Sequence, residues 1–78
     1  MKELKLNKLS FEKLLASAKH QFILKTDTDI YFLALGKEVH YSDLSIVAHN
    51  ETKKTIEIID YKNIKSGTVD GEKYLFVD

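Results

Sequence analysis

The spacing of apolar residues changes once along the chain, from a helical rhythm near the N-terminus to an alternating or continuous one after residue 20. Phe11, Leu14, Leu15 and Ala18 recur at i, i+3, i+4 and i+7, which places them on one stripe of a helix with a single buried face. Leu6 and Leu9 fall on the opposite side. The spacing therefore predicts a helix over 10–20, with the Ser10 hydroxyl capping the first turn and Leu9 and Leu14 at the positions of a hydrophobic staple. Lys19 and His20 close the last turn, where cations suit the helix dipole. Before it, Leu4-Lys5-Leu6 alternates with period two, so residues 1–9 are read as an extended arm or a short edge strand.

Residues 21–78 read as strands and turns. Phe22–Thr26 and Ile30–Leu35 flank the polar Asp27-Thr28-Asp29 and form a first hairpin. Ile30–Leu35 is apolar on both strand faces, so it is expected at the centre of the sheet, with the helix on one side and another layer or a curled sheet on the other. Leu44–His49 and Thr55–Tyr61 form a second hairpin. Val39–Ser42 is assigned to the first of those two strands, with Ser42 as the cap of a short helical turn as the alternative reading. Asp70-Gly71 is the clearest turn, because a two-residue type I′ hairpin needs positive φ at both central positions. That turn fixes a last hairpin of Ile64–Val69 and Glu72–Val77, with Val69 facing Glu72, Thr68 facing Lys73 and Gly67 facing Tyr74, a ring opposite a bare strand position. The expected architecture is α+β: one N-terminal helix packed on a five- or six-stranded antiparallel meander, open or curled into a small barrel.

Seventy-eight residues allow one domain, 1–78. No cysteine is present, so neither disulfides nor thiolate metal sites contribute, which points to the cytoplasm. The longest apolar run is Ile30–Leu35, far short of the roughly 20 residues of a membrane-spanning helix, and the expectation is a chain neither inserted nor exported. Charge is balanced, with twelve cations against twelve anions, and every cation is lysine. Arginine, the residue best suited to bidentate phosphate and guanine contacts, is missing, which argues against sequence-specific DNA binding. Six lysines against two glutamates give residues 1–25 a net +4, leaving −4 for the remainder. Lys2, Lys5, Lys8, Lys13 and Lys19 are accordingly the candidate anion contacts. A lysine-only, proline-free composition also suits AT-rich coding, as in low-GC bacteria and their phages.

Catalytic and metal chemistry find little support. His20, His40 and His49 are the only histidines, and His40 and His49 have opposite strand parity. His40 and Ser42 share a face but stand roughly 6.6 Å apart with parallel side chains, so they form no nucleophile–base pair. The three glycines are isolated and match no phosphate-binding loop. The reading is therefore non-catalytic, with no metal and no cofactor. Tyrosine is enriched at interface centres, and Tyr41 beside His40 and Tyr61 beside Lys62 are expected at the surface. His40, Tyr41, Tyr61 and Lys62 are thus the candidate partner-binding residues.

A helix followed by five strands in this length resembles the Sm-like layout of the Hfq-type RNA chaperones. Val39, Asp43 and Ile46 stand at spacings similar to the first Sm motif, and Tyr61-Lys62-Asn63 is similar to the Tyr-Lys-His of the second, with asparagine in place of the family's histidine. The resemblance spans residues 10–69 and implies a ring-forming binder of single-stranded RNA. The residues themselves point first to a small non-catalytic binding protein acting on another protein, in its concrete form a phage or mobile-element inhibitor of a host factor, with a homodimer through a free sheet edge or helix packing.

Overall fold

The computed structural model describes all 78 residues. Its helix, α1, runs Lys8–Ser17, two residues earlier than expected at its start and three earlier at its end. The N-cap is Asn7, whose Oδ1 accepts the Ser10 N–H at 3.0 Å, while the Ser10 Oγ accepts the Asn7 N–H at 2.9 Å. Ser10 thus closes a reciprocal capping box from the third helical position and does not begin the helix. The staple positions shift with it, to Leu6 and Phe11, both in the core, and Leu9 stays exposed. At the other end Ala18 turns extended and its N–H closes on the Leu14 and Leu15 carbonyls.

Seven strands make one mixed sheet: β1 (Lys2–Lys5), β2 (Phe22–Lys25), β3 (Ile30–Phe32), β4 (Ser45–Asn50), β5 (Ile56–Asp60), β6 (Ser66–Val69) and β7 (Glu72–Val77), with a 3₁₀ turn at Tyr61–Asn63. Their order across the sheet is β1-β7-β6-β2-β3-β4-β5. The arm expected over residues 1–9 is therefore a strand followed by the helix cap. β1 lies parallel to β7, Lys2 against Tyr74 and Lys5 against Val77, so the sheet is not wholly antiparallel. A parallel pair needs a crossover and leaves no local turn signal, which is why alternation alone did not reveal it. β3 is shorter than the apolar run Ile30–Leu35. Val39–Ser42 is no strand extension: Tyr41 makes a single bridge to Ile46, and the Ser42 Oγ accepts the N–H groups of Leu44 and Ser45 in a turn.

The Asp70-Gly71 hairpin follows the expected register, and φ is +50° at Asp70 and +86° at Gly71. A Cβ on Gly67 would lie 2.8 Å from the Ile23 carbonyl oxygen and 3.1 Å from the Phe76 ring, so β2 and β6 approach closely only because that side chain is absent. The sheet curls enough that Lys5 from the β1 edge and Asp60 from the β5 edge line one groove, yet β1 and β5 do not pair. The barrel alternative is thereby corrected to an open sheet.

The concave face carries the core. Phe22, Leu24, Tyr31, Ile46, Ala48, Ile59, Val69 and Phe76 point inward and pack with Phe11 and Leu14 of α1. Phe11 is the hub, with ring centroids 5.6 Å from Phe22, 5.2 Å from Tyr41 and 5.9 Å from Tyr61. One helix covers one face, and the chain holds no second layer for the other.

Candidate functional site

The uncovered convex face gives the structure its most distinctive surface. Strand alternation sends Ile23, Phe32, His49 and Ile56 to that side, and the pairing register sets them in one row across β2, β3, β4 and β5. Val47 and Ile58 form a second row beside it, and Ile30 flanks it on β3. The Phe32 and His49 rings stack at 4.9 Å with an interplanar angle of 13°. Ile56 and Ile58 are 67% and 74% exposed, far above what a strand in a covered sheet shows. Scattered exposed apolar residues are ordinary, whereas these lie contiguous on one face.

Beneath that face the β4–β5 hairpin is pinned by polar contacts. Asn50, 1% exposed, is the one buried polar residue. Its Oδ1 accepts the Thr52 and Lys53 N–H groups at 3.0 and 2.9 Å, and its Nδ2 donates to Glu57 at 3.2 Å. Glu57 also accepts from the Thr55 hydroxyl at 2.6 Å and the Tyr31 hydroxyl at 3.0 Å. These donors, Thr55 first, hold the Glu57 carboxyl below its usual range. Burial, followed by the Glu57 contact, pushes the Tyr31 phenol up. No buried side-chain nitrogen or oxygen lacks a partner.

The sequence-derived site residues fall elsewhere. Tyr61 is only 6% exposed, and its hydroxyl donates to the Ser42 carbonyl at 2.8 Å. Desolvation pushes its phenol up to about 12. Tyr41 is half-buried against Phe11 and donates to Glu12 at 2.8 Å, a bond that raises its phenol. The structure does bring the two tyrosines together, but around the Phe11 ring beneath the helix. Their expected surface exposure is corrected by that aromatic hub, which uses the rings as core. His40 and Lys62 are exposed.

The lysines do not converge on one anion site. Lys2 pairs with Glu72 at 2.6 Å, which raises its ammonium, and Lys8 pairs with Asp43 at 3.5 Å. Lys5 sits on the edge strand, Lys13 on the helix and Lys19 just beyond it. A surface groove of about 600 Å³ gathers Lys5, Lys62 and Lys65 but matches them with Asp43, Asp60 and Asp78. His20, His40 and His49 stand on separate segments, and no group of three or more His, Cys, Asp or Glu side chains is placed to hold a metal ion. No helix is long and apolar enough to cross a membrane.

The convex patch had a signal in the sequence. Ile56 and Ile58 share one parity and Glu57 the other, so the apolar face of β5 can be read directly from Ile-Glu-Ile. With a single helix in the chain, that face had nothing to cover it.

Fold and surface together define a small α+β protein of one helix on an open seven-stranded mixed sheet. No family model matches the chain, and the searches of curated proteins and of solved structures likewise give no match.

Proposed function

We propose that the protein is a small non-catalytic binding module that docks on another protein through the convex face of β3, β4 and β5. The observation that carries this reading is the contiguous exposure of Ile30, Phe32, Ile56 and Ile58 around the Phe32–His49 stack. An apolar centre bordered by polar residues is the composition of a protein–protein interface, and Lys25 and Asp60, on the same strand parity, border this one. Inhibition of a host factor by a phage or mobile-element protein is the concrete form of the proposal; small size and a lysine-only, proline-free composition support it. The test is capture from nuclease-treated lysate on immobilised protein: a partner retained by the wild type and lost with the double variant Phe32→Ser, Ile56→Ser supports the reading, and equal retention by both overturns it.

A second reading rests on layout. α1 followed by β2 to β6 supports the one-helix, five-strand layout that the Sm-like resemblance implies, with β1 and β7 outside it. Single-stranded RNA binding would then fall steeply between about 50 and 200 mM salt as condensed counterions are released. The neutral groove around Lys5, Lys62 and Lys65 makes this the weaker reading.

A further inference from the structure

The two free edges of the sheet are finished differently. β1 carries Lys2, Glu3 and Lys5 along its four residues, the charged finish that keeps an edge strand solvated. β5 has no lysine, no proline and no bulge over its five residues, and it shows two exposed isoleucines. Its hydrogen-bonding phase follows from its partner: Asn50 donates to the Thr55 carbonyl at 2.7 Å and Tyr61 to the Leu44 carbonyl at 3.0 Å. In an antiparallel ladder this alternation commits the odd-numbered residues to β4 and turns the N–H and C=O of Ile56, Ile58 and Asp60 toward the open edge.

We propose that a second copy of this chain pairs antiparallel on β5, about a two-fold axis at Ile58. That register sets Ile58 against Ile58 of the partner subunit and Ile56 against the partner's Asp60, so all three outward residues on each side exchange hydrogen bonds. A shift by one pair strands outward groups at one end. In one direction it also sets Glu57 against the partner's Glu57, a like-charge pair on one face, and in the other it sets Ile56 against Lys62 of the partner subunit, beyond the end of β5. In the centred register Glu57 meets Ile59 of the partner subunit. Asp60 then lies at the end of the partner's strand that carries the turn residue Lys54, which in the single chain pairs with Glu51 at 3.7 Å, and symmetry makes that opposite-charge approach twice. The dimer is an edge-to-edge contact of modest area and so dissociates on dilution. It goes beyond the binding reading above, because it leaves the convex patches uncovered and sets two of them side by side in one continuous sheet.

Sedimentation equilibrium of the purified protein over a concentration series tests the proposal without any partner. The wild type is expected to pass from monomer to dimer, and Ile58→Lys, at an exposed position, to remain monomeric at every concentration with an unchanged circular dichroism spectrum. Asp60→Lys is expected to lose the dimer, and the double variant Lys54→Asp, Asp60→Lys to regain it. Hydrogen exchange of the Ile56, Ile58 and Asp60 amides should slow as concentration rises. A wild type that stays monomeric, a dimer indifferent to Ile58→Lys, or a larger ring or filament joining β5 to β1 overturns it.

Discussion

The Asp70 carboxylate accepts the backbone N–H of His20 at 2.7 Å, across 50 residues of sequence. It also accepts the N–H groups of Lys19 and Gln21, each at 2.9 Å, while the Asp70 N–H donates to the Gln21 carbonyl. One hairpin side chain thus takes up three donors of the segment leaving α1, and the helix ends there instead of running to His20. The bond from Lys19 above all, with those from Gln21 and His20, holds the Asp70 carboxyl below its ordinary value of 3.8.

Removing that anchor is expected to loosen the joint between helix and hairpin. Asp70→Ala should lower Tm by roughly 5 °C, measured by thermal circular dichroism.

The same carboxylate sets a pH dependence. A group whose folded pKa lies below its unfolded one binds its proton more readily when unfolded, so its contribution is complete above 3.8 and is lost as pH falls through the folded value. Glu57 acts in the same direction. Urea midpoints of Asp70→Asn should therefore fall less steeply than those of the wild type below about pH 4.

Gly67 tolerates no side chain at its contact with Ile23 and Phe76. Gly67→Ala forces β2 and β6 apart and is expected to cost about 1–3 kcal/mol by urea denaturation, whereas Gly71→Asn, with open space around it and φ +86°, should cost far less.

Asn50 is buried with three hydrogen bonds, so its truncation leaves the Thr52 and Lys53 N–H groups without their acceptor. Asn50→Ala is expected to destabilise by about 2–4 kcal/mol and to raise hydrogen exchange first in the β4–β5 turn.

Phe11→Ala removes the ring that Phe22, Tyr41 and Tyr61 share. The loss should be about 3–5 kcal/mol in chemical denaturation.

Local signals carried much of the fold. The Asp70-Gly71 turn dictated the register of β6 and β7 because positive φ at two successive positions admits few residues. The stripe of Phe11 and Leu14 located the buried side of α1. Relationships between distant segments were not legible. Ser10 reads as a cap in isolation, and only Asn7 beside it makes Ser10 the far half of a capping box. Tyr41 and Tyr61 border polar residues in sequence, but their rings meet at Phe11, which lies 30 and 50 positions away. The convex patch was missed although counting layers points to it: one helix cannot cover both faces of a sheet in which Phe32, Ile56 and Ile58 turn away from it.

β1 is the first strand synthesised, and its only partner, β7, is the last. Lys2–Lys5 must therefore wait, unpaired, until Glu72–Val77 has left the ribosome, the longest sequence separation between paired strands. Once docked, β1 depends on β7 alone, whereas β7 stays paired with β6, so β1 is the strand expected to open first.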